Sequence, residues 1–272
     1  MRRTLSKAKC DANFAYQFNN VTEGMGATRA NLLRMLRSVD LVGWSAHEES
    51  GKVDRKAFAR FASGSTTVFK RREYAEAERS AVSILIDCSG SMAWDGGRIR
   101  VAETVAIQLS RILDKANVDF AVTGFNGGGM NIRVAATGAN DKRSFVQGEA
   151  LNWIPFKTWG ESLRKASTKL GSINEWTGSS TPDYSALSAA IDDIAKRAEA
   201  RKILFILTDA DGYNRHHIAH LQSVAKRCGV TVVAIGIGSA DVEEIFDHAA
   251  TVNDTRELAS VAFNTLLKSL RR

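Results

Sequence analysis

Two continuous apolar runs constrain this chain more than any other feature. Ile84-Leu85-Ile86 leads into Asp87, and far downstream Ile203-Leu204-Phe205-Ile206-Leu207-Thr208 leads into Asp209. A strand with one wet face alternates apolar and polar residues, whereas an unbroken apolar run is buried on both faces. Parallel strands between two helix layers meet that condition. The stretch between the runs fits. Residues 98–115 carry Ile99, Val101, Val105, Ile107, Leu109, Ile112 and Leu113 at helical spacing.

The pattern continues to the end of the chain. Strands are predicted at 82–86, 119–125, 202–208 and 230–237, with a brief one near 250–252. Helices are predicted near 161–170, 184–200, 215–228, 242–246 and 254–269. Asn126-Gly127-Gly128-Gly129 is expected to turn the chain into a hairpin strand at 131–135, and 140–180 to be long and less regular. The fold class is therefore α/β: a doubly wound, mostly parallel, Rossmann-like sheet sandwiched by helices. Upstream, residues 1–26 are polar and expected to be loosely ordered. A helical pattern starts at Thr28 (Leu32, Leu33, Leu36, Val39), a short helix is predicted at 54–61, and 66–70 alternate like a strand. This divides the chain into a basic, mainly helical N-terminal segment, 1–78, and an α/β domain, 79–272.

Charge supports that division. The first 80 residues hold 15 Lys and Arg against 9 Asp and Glu; the remainder holds 22 against 21. No aromatic-interleaved or Arg-rich motif accompanies the basic excess, so it reads as a solvated surface rather than a nucleic-acid site. No stretch of 18 apolar residues exists, so no membrane span is expected. The N-terminus lacks the apolar core of a signal peptide. Three unpatterned cysteines, Cys10, Cys88 and Cys228, suggest reduced thiols and a cytoplasmic location.

Ligands of doubly wound sheets sit at the carboxyl ends of the strands, near the point where strand order reverses. Asp87 and Asp209 both fall there. Asp87-Cys88-Ser89-Gly90-Ser91 adds two hydroxyls that a tight loop can turn toward one point. Carboxylates with neutral hydroxyls suit Mg²⁺, which takes six oxygens at about 2.1 Å and keeps several waters; Mn²⁺ or Ca²⁺ could substitute. A third hydroxyl is expected from Thr181 in Gly178-Ser179-Ser180-Thr181-Pro182-Asp183, with Ser179, Ser180 and Asp183 close enough to replace it.

Asp87, Ser89, Ser91, Thr181 and Asp209, in that order, resemble the metal-ion-dependent adhesion site (MIDAS) of von Willebrand factor A (VWA) domains. The resemblance implies that an acidic residue of a protein partner completes the coordination, and that Asp209 works through water. It narrows further. Residues 83–92, Gly96-Gly97-Arg98-Ile99, Gly51-Lys52-Val53-Asp54 and Phe69-Lys70-Arg71-Arg72 are similar to the CobT-type subunit of cobaltochelatase. Such subunits pair with a MoxR-like AAA+ ATPase ring, which implies a non-catalytic adaptor. This chain differs in its N-terminal segment, basic where CobT-type chains carry a long acidic region. Cobalt insertion itself is thus a separate question from the adaptor role.

No nucleophile–base pairing and no phosphate-binding loop is legible, so the chain is not expected to be an enzyme or to hydrolyse ATP. Candidate partner contacts are Trp94, Asp183, Asp211 and His216. His216 and His220 would share a helix face, but no third transition-metal ligand is evident. Trp94, Trp153, Trp159 and Trp176 fall in loops or irregular regions. Two alternatives use the same site differently: a stand-alone metal-dependent ligand-binding module, and an RNA-associated A domain like those of Ro-type ribonucleoproteins.

Overall fold

The computed structural model describes residues 6–19, 41–54, 66–74, 79–93, 97–135 and 145–252. The chain separates into two compact units, one of residues 37–79 and one of the remainder.

The larger unit opens with helix α1 (Lys7–Asn19). The smaller unit holds strands β1 (Leu41–Glu48), β2 (Lys52–Val53) and β3 (Phe69–Tyr74), an antiparallel sheet in the order β1-β3-β2. The larger unit resumes with β4 (Ser80–Asp87), α2 (Arg98–Ala116), β5 (Asp119–Ala135), β6 (Phe145–Lys157) and α3 (Leu163–Leu170). There follow α4 (Asp183–Ala195), β7 (Arg201–Thr208), α5 (Arg215–Arg227), β8 (Val230–Ile237), α6 (Val242–Ile245) and β9 (Ala249–Val252). Its six strands run in the order β6-β5-β4-β7-β8-β9. All neighbours are parallel except β5 and β6.

The doubly wound expectation holds, and burial explains the unbroken apolar runs. All eight residues of β4 are buried. Val82, Ile84 and Ile86 join Ile203, Phe205 and Leu207 in a core covered by Val105, Leu109 and Ile112 of α2. Leu85, Leu204 and Ile206 face the other way, into a core closed by Leu187 and Ile191 of α4 and Ile218 and Leu221 of α5. Each strand therefore buries both its odd and its even residues. A fully buried side chain of this kind contributes about 1.5–3 kcal/mol relative to exposure.

Five expectations are corrected. The glycines at 127–129 do not turn the chain: β5 runs through them with an irregularity between Gly127 and Asn131. Its antiparallel partner is β6, which runs from 145 to 157, inside the stretch expected to be irregular. Trp153 accordingly lies in a strand, opposite Phe125. Glycine triplets read as turns because glycine tolerates any backbone, but pairing along two strands overrides that local tolerance. Residues 7–19 are also not loose. Phe14 and Phe18 of α1 stack at 5.4 Å and pack on the α2-side core, and Asn13 Nδ2 donates to Gly171 O at 2.9 Å. The helix at 184–200 is shorter than expected, ending at Ala195.

In the smaller unit, β3 begins within the predicted 66–70 strand, whereas β1 was not legible. The predicted helices at Thr28 onward, at 54–61 and at 254–269 lie, apart from Asp54, outside the described residues. Among the described residues, no helix is long and apolar enough to cross a membrane. The three cysteines are unpaired, Cys10 and Cys88 buried and Cys228 exposed.

Candidate metal centre

The strand order reverses at β4 and β7: the chain leaves β4 toward β5 and β6, then returns to β7 on the opposite side. Asp87 and Asp209 sit at this switch point, one at the end of β4, the other just past β7. Both are buried, 0% and 1% exposed.

Asp87 is anchored by three donors. Its Oδ1 accepts the Ser89 backbone N–H at 2.9 Å; its Oδ2 accepts the Thr208 hydroxyl at 2.7 Å and the Tyr213 phenol at 3.4 Å. All three are neutral. Burial pushes the carboxyl up to about 6, although the bonds from Ser89 and Thr208 favour its ionised form. Burial likewise raises the Tyr213 phenol well above its ordinary range, followed by the nearby Asp87 charge.

The turn that follows brings the two serines together. Ser89 Oγ lies 3.1 Å from Ser91 Oγ, and Ser91 Oγ donates to Asp209 Oδ1 at 3.2 Å. Hydroxyls and carboxylates thus form a connected set of oxygens at the mouth of the β4–β7 crevice. Cys88 turns away, with its thiol on Ile86 O at 3.7 Å, and burial raises it well above the usual thiol range.

The third loop is fixed by backbone bonds. Gly178 N donates to Cys88 O at 2.9 Å, Gly90 N to Ser179 O at 3.0 Å, and Gly127 N to Ser180 O at 2.8 Å. The approach at Gly127 is so close that a Cβ there would lie 2.0 Å from Ser180 Oγ and 3.2 Å from Ser180 N. These contacts hold 178–180 across the end of β4 and the middle of β5, and bring Thr181, half-buried, to the start of α4.

The expected partner contacts divide. Asp183 is a brace: its Oδ1 accepts Tyr184 N at 2.7 Å and its Oδ2 accepts Asn214 N at 2.9 Å, tying α4 to the approach of α5. Asn214 in turn caps α5, accepting the N–H groups of His216 and His217 at 3.0 and 3.2 Å. Asp211 and His216 are exposed. Trp94 lies outside the described residues. Tyr184, 41% exposed, meets the edge of His217 at 5.4 Å between ring centroids. Among the described residues, no group of three His, Cys, Asp or Glu is placed to hold a metal, so His216 and His220 gain no third ligand.

The oxygen set fits a hard divalent cation. Its donors are carboxylates and hydroxyls, the chemistry that Mg²⁺ and Mn²⁺ prefer over soft ligands. The buried charge of Asp87, met here by neutral donors, is what such an ion would compensate. Sequence reasoning missed three contributors. Thr208 is legible only as the last residue of its strand, and Arg98, whose guanidinium pairs with Asp209, only as part of Gly96-Gly97-Arg98-Ile99. Nothing in the sequence flags Tyr213.

Solved structures with this fold include the PilB minor pilin from Streptococcus sanguinis (TM-score 0.52, 14% identity, covering 74% of this chain and 64% of that one). Its D319A mutant matches at TM-score 0.50 and 14% identity, over 71% of this chain and 62% of that one. Proximal thread matrix protein 1 from the mussel byssus, solved with a zinc-occupied MIDAS motif, matches at TM-score 0.49 and 15% identity, over 71% of this chain and 48% of that one. This chain thus spans less than two thirds of the length of these three structures. No curated protein matches it. The family model described as the cobalamin biosynthesis protein CobT VWA domain matches residues 68–270. The chain therefore belongs to the CobT-type family of von Willebrand A domain proteins.

Proposed function

We propose that this protein is a non-catalytic, divalent-cation-dependent protein-binding adaptor that works in the cytoplasm with a MoxR-like AAA+ ATPase ring. The observation that carries the reading is the linked oxygen set of Ser89, Ser91 and Asp209, with buried Asp87 held beneath it. Asp87, Ser89, Ser91 and Thr181 would hold the cation, Mg²⁺ under cellular conditions, and Asp209 would orient it through water. When bound, the ion supplies a Lewis-acidic position that attracts a carboxylate of the partner. Thr208, Tyr213 and the Ser89 N–H fix the Asp87 carboxylate, so little side-chain ordering is left to the moment of binding. Asp211 and His216, both exposed on the segment that follows Asp209, are the proposed rim contacts.

The test is a pull-down of the tagged protein from its host with Mg²⁺, repeated with EDTA and with the S89A/S91A variant. Recovery of an AAA+ ATPase that disappears under both treatments supports the adaptor. A partner retained without metal sinks it, and a metal-dependent partner with no ATPase favours the stand-alone binding module.

A further inference from the structure

Arg98 is ion-paired with a carboxylate of the oxygen set, and nothing in the reading above uses it. It is the first residue of α2, directly after Gly97, whose left-handed backbone (φ 114°) delivers the chain into the helix. Its Nη1 donates to Asp209 Oδ2 at 3.0 Å, an ion pair in which the Asp209 side chain is 0% exposed and the Arg98 side chain 26%. The other Asp209 oxygen accepts Ser91 Oγ at 3.2 Å and the Asp211 N–H at 3.2 Å. The carboxylate is therefore held from both sides, with the guanidinium one carboxylate away from a proposed metal-binding hydroxyl.

The guanidinium is also built in. Gly238, at the end of β8, has φ +66°, and a Cβ on it would lie 3.4 Å from Arg98 Nε. The Arg98 side chain thus reaches from the Asp209 carboxylate toward Gly238, where the missing side chain leaves it room.

Resting on the metal-binding reading, we infer that Arg98 is a positioning residue that neutralises Asp209 and keeps the metal centre short of negative charge until a partner supplies it. Two ionised carboxylates alone would give the site a charge of −2. The paired guanidinium brings this to −1, leaving a divalent ion with net positive charge for a third carboxylate to meet. The price of partner dependence is weaker affinity for the ion alone, because a fixed positive charge near the site repels it through a partly buried medium.

The experiment titrates the full chain with Mn²⁺, reading free Mn²⁺ by electron paramagnetic resonance, for wild type, R98M, R98Q and R98K. Thermal melting establishes that each variant is folded, and two neutral replacements guard against one misfolding. Loss of the charge should tighten Mn²⁺ binding by about tenfold or more, in R98M and R98Q alike, while R98K stays near wild type. A second readout adds acetate as the carboxylate probe, which should bind the Mn²⁺-loaded neutral variants more weakly than wild type. A purely structural ion pair would lower the melting temperature and leave Mn²⁺ affinity unchanged or weaker in the neutral variants; that result overturns the inference while leaving the metal site standing. Absence of Mn²⁺ binding in every protein overturns both. Binding seen in the neutral variants but not in wild type supports the inference in its strongest form.

Discussion

Asp87 carries a carboxyl group into the most buried position of the site, and its titration is measurable. Burial, the largest cause, raises it from the ordinary 3.8 to about 6. Between those values the folded, metal-free protein holds a proton that the unfolded chain releases. The associated stability is fully present below about 4 and is lost as pH rises to about 6, a change of about 3 kcal/mol. Urea melts in EDTA across this window should show wild type losing that stability relative to D87N, which cannot ionise. A constant difference between the two would show that the carboxyl is not strained by its burial. D87N should also abolish Mg²⁺ binding by calorimetry, and wild-type Mg²⁺ affinity should fall as pH drops below about 6, where the proton competes with the ion.

The elements around the site are joined by backbone contacts with no room to spare. Placing alanine at Gly127 puts a Cβ against Ser180; the hydroxyl can rotate away, but Ser180 N and Cβ, both 3.2 Å off, cannot. G127A should therefore cost about 1–3 kcal/mol by overpacking and weaken Mg²⁺ binding by displacing the loop that carries Thr181. Denaturant melts and calorimetry on one preparation read both effects; unchanged affinity would argue that Thr181 is not a ligand. At the other rim, N214A removes the acceptor for His216 and His217 N–H and should cost about 1 kcal/mol in the same melts.

At the scale of the whole molecule, the proposed ion would be linked to the fold by mass action. A ligand that binds only the folded state at 100 times its Kd stabilises by about 2.7 kcal/mol. Saturating Mg²⁺ should raise the melting temperature of the wild type by about 5–10 °C, and of S89A/S91A by essentially nothing. Equal shifts in both proteins would place the ion elsewhere.

Much of this architecture was written in local pattern. The unbroken runs at Ile84-Leu85-Ile86 and 203–207 gave away doubly buried parallel strands, because a strand covered by helices on both faces asks for apolar residues on both. The spacing of Asp87, Ser89 and Ser91 was equally plain, since three side chains of one tight turn converge through local geometry. What stayed hidden depends on contacts between residues distant in sequence. The Gly127–Gly129 stretch reads as a turn until β6 pairs beside it. The helix at 7–19 reads as polar coil until the α2-side core receives Phe14 and Phe18. Thr208 and Tyr213 on Asp87, Asp183 on Asn214 and Arg98 on Asp209 join residues 31 to 126 positions apart. The sequence by itself determined the sheet, its two helix layers and the clustering of Asp87, Ser89 and Ser91 in one turn, because these follow from hydrophobic periodicity and turn chemistry. Only the tertiary structure decided which charge stands beside which, because electrostatic partnership depends on distances that the chain sets only when it closes.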